Sequence, residues 1–231
     1  MAGAKKALSG FSKVYLALYN LVQTLGWSYI LYNLILHYVD SSSTGSLWEK
    51  EKLFLNIFQN GAVLEIVHAS VGLVSSNIIL TTFQVFSRVM VVIGVLQATP
   101  YTYAVASPGF PLAILAWSIT EIIRYFYYFA NIVGFVPYIV VWLRYTTFII
   151  LYPIGVTGEL LCFYAAVMYA SANPTAWSYA LPNSMNFTFS YLYLLIIVMV
   201  AYIPLFPQLY LHMFAQRRKM LNPSSATKKI N

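Results

Sequence analysis

RYTTFIILYPIGVTGE, residues 144–159, decides how the rest of the chain is read. Its surroundings are apolar enough for a membrane span, yet it carries Arg144, Tyr152 and Glu159, with Pro153, Gly155 and Gly158 between them. An ionisable side chain at membrane depth costs a few kcal/mol on insertion scales, so such residues mark a functional interior unless they reach the interface. Tyr152 and Glu159 are seven residues apart, about two helical turns, which puts both on one helix face roughly 10 Å apart at ~1.5 Å rise per residue. Pro153 and the glycines can kink or unwind the segment and change that spacing. Two readings stay open here. One is a kinked span with a snorkelling Arg144, a packed Tyr152 and an interfacial Glu159; the other is a reactive pair.

Composition carries the membrane reading to the whole chain. Of 231 residues, 60% are hydrophobic and 8% charged, against roughly 25% charged in soluble domains. The expected fold is all-α: one polytopic domain, residues 1–231, with six transmembrane helices bundled around a polar interior. The spans fall at about 14–38, 54–74, 79–98, 111–130, 138–169 and 187–213. The first apolar run is long enough to span and follows a polar, basic N-terminus, unlike a cleavable leader. Lys5, Lys6 and Lys13 at one end and Arg217, Arg218, Lys219, Lys228 and Lys229 at the other place both termini in the cytoplasm by the positive-inside rule. A five-span reading would separate the termini. The formal charge of +7 sits mostly at these ends and suits a membrane surface; no nucleic-acid partner is expected. Residues 214–231 read as a cytoplasmic basic tail whose last residues, Lys228-Lys229-Ile230-Asn231, resemble a dilysine signal for retrieval to the endoplasmic reticulum. The sequon Asn186-Phe187-Thr188 abuts the sixth span on the other side, a poor place for a glycan.

The polar residues of the spans are few and patterned. Glu65 and His68 are three apart, Gln84 and Arg88 four apart, and Glu121 and Arg124 three apart, each pair on one helix face. Glu65, Glu121 and Glu159 balance Arg88, Arg124 and Arg144, so a balanced network turned inward is the simplest arrangement. Glu121–Arg124 reads as an ion pair holding the bundle. Gln84 and Arg88 suit either structure or a substrate phosphate or carbonyl. His68 reads as a packing residue, and His37 and His212 as interfacial. The one cysteine, Cys162, excludes an internal disulfide, and no His/Cys cluster supports a metal site.

Tyr152-Pro-Ile-Gly-Val-Thr-Gly-Glu159, preceded by WLRY at 142–145, resembles the signature of the membrane-bound very-long-chain (3R)-3-hydroxyacyl-CoA dehydratases, the PASTICCINO-type or tyrosine-phosphatase-like proteins. LEIVHASVGLV at 64–74, FQVFSR at 83–88 and WSITEIIRY at 117–125 extend the resemblance over most of the chain. It implies a lyase of the fatty acid elongation cycle, with Tyr152 and Glu159 as the catalytic pair. Arg88, Arg144, Gly155, Glu65, Gln84, Glu121 and Arg124 would bind substrate or support the pair. The implied substrate is a long-chain (3R)-3-hydroxyacyl-CoA and the product a trans-2-enoyl-CoA. Implied partners are the condensing enzyme, the 3-ketoacyl-CoA reductase and the enoyl-CoA reductase, in the endoplasmic reticulum membrane. Dehydration needs a base for the α-proton and an acid for the departing hydroxyl, and no redox cofactor. Ordinary acidities favour Glu159 as base and Tyr152 as proton donor, although burial and nearby arginines can reverse that order. Gly155 and Gly158 would let an acyl chain approach the backbone.

Two other classes fit parts of this pattern. A transporter also places Glu and Arg within the membrane, but no inverted repeat is detectable. A non-catalytic scaffold of the elongation enzymes would have no need of Tyr152 or Glu159. A cysteine phosphatase is excluded: Cys162 is followed by FYAAVMYA, which lacks the arginine of a phosphate-cradling loop.

Overall fold

Eight α-helices make up most of the backbone that the computed structural model describes, residues 10–40 and 45–221. They are α1 (Gly10–Val39), α2 (Leu47–Gly61), α3 (Val63–Ser70), α4 (Ile78–Val91), α5 (Gly109–Val133), α6 (Tyr138–Arg144), α7 (Phe148–Ala172) and α8 (Tyr191–Leu221). A π-helical turn, Val92–Gln97, continues α4. Among the described residues there is no strand, only an isolated bridge between Tyr179 and Phe189. Three helical stretches are long and apolar enough to cross a membrane: Ile78–Gln97, Phe148–Ala172 and Tyr191–Leu221. The other expected crossings lie on α1, α2–α3 and α5, whose inward faces carry polar groups such as Asn20, Gln23, Gln59, Glu121 and Arg124. The N-terminal lysines Lys5 and Lys6 and the Lys228-Lys229 ending lie outside the described residues.

Two segments expected to be single helices are divided. The stretch 54–74 is broken at Ala62, where α2 ends and α3 begins. The stretch 138–169 is broken by the turn at residues 145–147 between α6 and α7. Pro153, by contrast, does not interrupt α7. A proline lacks the N–H that would bond to the carbonyl four residues back, here that of Ile149. The Tyr210 hydroxyl of α8 donates to that oxygen at 2.9 Å, so the helix continues with its orphaned acceptor satisfied.

Small residues set how the helices meet. A Cβ on Gly158 would lie 2.6 Å from the Ala113 nitrogen and 2.7 Å from the Gly109 oxygen, and one on Gly109 would lie 2.3 Å from the Gly158 oxygen. The α5 and α7 backbones therefore touch, as small residues permit inside membranes. Gly155 faces Ala116 at 3.3 Å in the same way, so α5 fills the space beside both α7 glycines. On the other side of α5, α1 contributes Leu16, Trp27, Ile30 and Leu34 at helical spacing to the core. α2 adds the inward stripe Leu47, Glu51, Leu55 and Gln59. Glu51 is wholly enclosed, neither carboxyl oxygen has a partner among the described residues, and burial pushes its pKa up to about 8. α8 packs against α7 and is otherwise hardly buried. Its first turn is anchored where the Tyr191 hydroxyl donates to the Gly94 carbonyl at 2.5 Å.

Candidate active site

Charges from three helices meet on the inward face of α5. Arg124 grips Glu65 of α3 with both terminal nitrogens, at 2.6 and 2.8 Å, and its Nε donates to Glu121 at 2.7 Å. Glu121 also pairs with Arg88 of α4, and the Tyr125 hydroxyl donates to Glu65. The result is a chain, Glu65–Arg124–Glu121–Arg88, with two charges of each sign and both carboxylates occupied on both oxygens. Fork-like arginine contacts of this kind are the strong, directional sort. The i,i+3 pairing of Glu121 with Arg124 expected from sequence is present. So is the inward balance of charge for these four residues.

Glu159 and Arg144, the remaining two of the six charges, do not pair with each other. Glu159, 7% exposed, projects from α7 between α5 and α8. The Trp117 indole nitrogen donates to its Oε1 at 2.7 Å, and the Tyr202 hydroxyl donates to its Oε2 at 2.5 Å. Arg88 links this carboxylate to the charge chain: its guanidinium lies 5.6 Å from the Trp117 ring centroid and within electrostatic reach of Glu159. Arg144 is enclosed by aromatic rings instead, 4.4 Å from the Tyr127 centroid and 4.5 Å from that of Tyr128, whose hydroxyl accepts from it at 3.0 Å.

Tyr152 stands on the same continuous helix as Glu159, two turns earlier. Its ring meets Phe148 edge-on at 5.8 Å, and it lies within electrostatic reach of Arg88, Glu121, Arg124 and Arg144. The structure thus brings Tyr152, Glu159, Arg88, Glu121, Arg124 and Glu65 into one polar interior. Gln84, one turn before Arg88 on α4, is exposed. His68 bonds the Tyr15 hydroxyl at 2.9 Å against α1. Cys162 is fully buried. Among the described residues no three His, Cys, Asp or Glu side chains come together as a metal site would require.

Trp117 and Tyr202 were not singled out by sequence. Trp117 lies four residues before Glu121, on the same helix face, so the spacing used for Glu121 would have placed it in the interior. Tyr202 is one of 20 tyrosines and carried no such signal. Chemically, the arrangement offers a carboxylate with both oxygens held by neutral donors, a phenol on the same helix, and a cation within electrostatic reach of both.

The family model described as protein tyrosine phosphatase-like protein, PTPLA, matches residues 59–223. Very-long-chain (3R)-3-hydroxyacyl-CoA dehydratase 2 of Mus musculus is 44% identical over 98% of this chain and 88% of its own. The dehydratase hpo-8 of Caenorhabditis elegans is 41% identical over 94% of this chain and 98% of its own. PASTICCINO 2 of Arabidopsis thaliana, named as the same kind of dehydratase, is 36% identical over 94% of this chain and 97% of its own. No solved structure matches.

Proposed function

Because the chain belongs to the protein tyrosine phosphatase-like (PTPLA) family, we propose that it dehydrates a long-chain (3R)-3-hydroxyacyl-CoA to the trans-2-enoyl-CoA in very-long-chain fatty acid elongation. The observation that carries this reading is the double-donor contact on Glu159, on the same helix as Tyr152 and beside Arg88. Trp117 can only donate, so the oxygen it meets is an acceptor, as suits a base. Glu159 removes the α-proton, the C–H electron pair forms the new double bond, and the C–O bond at the β-carbon breaks. Tyr152 gives its proton to the departing hydroxyl, which leaves as water. Arg88 and Arg124, near Tyr152, stabilise the phenolate until the proton held by Glu159 returns to it through solvent. Substrate and product then differ by one water, and no redox cofactor takes part. Each positioned acid or base is worth ~10²–10⁴ in rate.

The same reading places the enzyme in the endoplasmic reticulum membrane, with six crossings in one domain and both termini cytoplasmic. The condensing enzyme, ketoacyl reductase and enoyl reductase of elongation are its neighbours. The cytoplasmic lysines and arginines suit coenzyme A phosphates. The test is dehydration of a long-chain 3-hydroxyacyl-CoA by the purified protein in detergent. Tyr152→Phe and Glu159→Gln should each lose at least about 100-fold in kcat while remaining folded. Full activity in both variants would move the chemistry elsewhere. A folded parent inactive at every chain length would leave the scaffold and transporter readings, which flux in sealed vesicles separates.

A further inference from the structure

Glu159 is held from two sides by different helices. Trp117 is 2% exposed in the core formed by α1, α5 and α7, with Arg88 over its ring. Tyr202 belongs to α8, which packs on α7 and is otherwise hardly buried. Directly after Tyr202 come Pro204 and Pro207, both inside the helix. Each removes one N–H from the helical ladder, those that would reach the carbonyls of Val200 and Ile203. The donor to Oε1 therefore comes from the core and the donor to Oε2 from α8, just before two prolines that each lack a ladder N–H. The Tyr202 hydroxyl can also turn about its C–O bond while its ring stays against Phe163, whose centroid is 5.9 Å away.

We propose that Trp117 and Tyr202 are positioning residues for the dehydration. Trp117 fixes the plane of the Glu159 carboxylate through Oε1, and Tyr202 holds Oε2 in register until the substrate's α-carbon takes its place. This inference rests on Glu159 being the base. Oε2 is then the atom that receives the proton: the α-C–H bond breaks, a new O–H bond forms at Oε2, and the electron pair stays with the substrate. The Tyr202 proton remains on its own oxygen throughout. Because the two donors come from α5 and α8, a carboxylate one methylene shorter cannot meet both from the same place on α7.

The experiment compares parent, Glu159→Gln, Glu159→Asp, Tyr202→Phe and Trp117→Phe in detergent. It measures kcat, KM, the thermal midpoint and the primary isotope effect with substrate deuterated at the α-carbon. Tyr202→Phe keeps the ring and removes one hydrogen bond to a carboxylate. It should lower kcat about tenfold, leave KM within about twofold, and enlarge the isotope effect as proton removal becomes the slow step. Trp117→Phe should lower kcat at least as much, and Glu159→Asp more than either. Full activity in Glu159→Gln would show that the reading beneath the inference has failed. An inactive Glu159→Gln beside a Tyr202→Phe variant with parental kcat and isotope effect would overturn the positioning role alone. A loss in Tyr202→Phe that appears as a lower thermal midpoint or a raised KM, with the isotope effect unchanged, would mean packing only and would also overturn it. Should Trp117→Phe fail to fold, Tyr202→Phe decides the matter.

Discussion

Raising the pH through 8 should destabilise this protein through one residue, Glu51. The carboxyl is wholly enclosed, lacks a partner among the described residues, and has a pKa raised by burial from 4.5 to about 8. A group whose folded pKa lies above its unfolded value gives stability that is complete below the unfolded pKa and lost as pH rises through the folded one. Here the window runs from about 4.5 to 8. Between pH 6 and pH 9 the lost contribution corresponds to about two pKa units, or about 2–3 kcal/mol at ~1.4 kcal/mol per unit. For a chain of this size that is about 5–10 °C in thermal midpoint. Glu51→Gln puts a neutral amide where the protonated acid stood and removes this titration. Midpoints of both proteins in one detergent at pH 6, 7, 8 and 9 give the answer as the difference between two slopes, which cancels every other titrating group. Parallel slopes would refute the reasoning, because Glu51 would then be as well hydrated when folded as when unfolded.

Four further substitutions and one double-mutant cycle test positions described above. Gly158→Ala forces a methyl group to within 2.6 Å of the α5 backbone and should cost about 1–3 kcal/mol, seen as a lowered thermal midpoint. Glu65→Gln leaves Arg124 without one of its two carboxylates and should cost about 3–5 kcal/mol, whereas Gln84→Ala, on the exposed side of α4, should change stability by less than about 0.5 kcal/mol. Tyr210→Phe strips the donor from the Ile149 carbonyl and should cost about 1–3 kcal/mol. In a Pro153→Ala background the same change should cost much less, since alanine restores the N–H, and a double-mutant cycle measures that difference.

Charge spacing made half of the candidate site legible from sequence. Glu65, Arg88, Glu121 and Arg124 had to turn inward because lipid offers no alternative, and they meet in one chain of ion pairs. Glu159 and Arg144 were expected in the same balanced set, but they found neutral and aromatic partners instead. Counting charges cannot reveal a donor such as Trp117 or a ring such as Tyr127, because neither contributes to net charge. Gly155 and Gly158 suggest room beside α7, and α5 lies against both positions. Helix breaks were legible only in part. Pro153 looked like the place where α7 would fail, yet the failure falls at residues 145–147, since a distant tyrosine can repair a missing hydrogen bond and local sequence does not record distant tyrosines.

That repair has a consequence for how the protein comes into being. Tyr210, which caps the gap left by Pro153, and Tyr202, which completes the contacts of Glu159, both belong to α8. A ribosome delivers α8 after α7. Until it arrives, α7 carries an unsatisfied carbonyl at Ile149, and Glu159 holds only its contact with Trp117. Docking of α8 therefore closes a backbone defect and finishes the carboxylate's surroundings together. A nascent chain stopped short of residue 202 would already contain the central motif while lacking the surroundings that hold it, so the site matures only once α8 has been delivered.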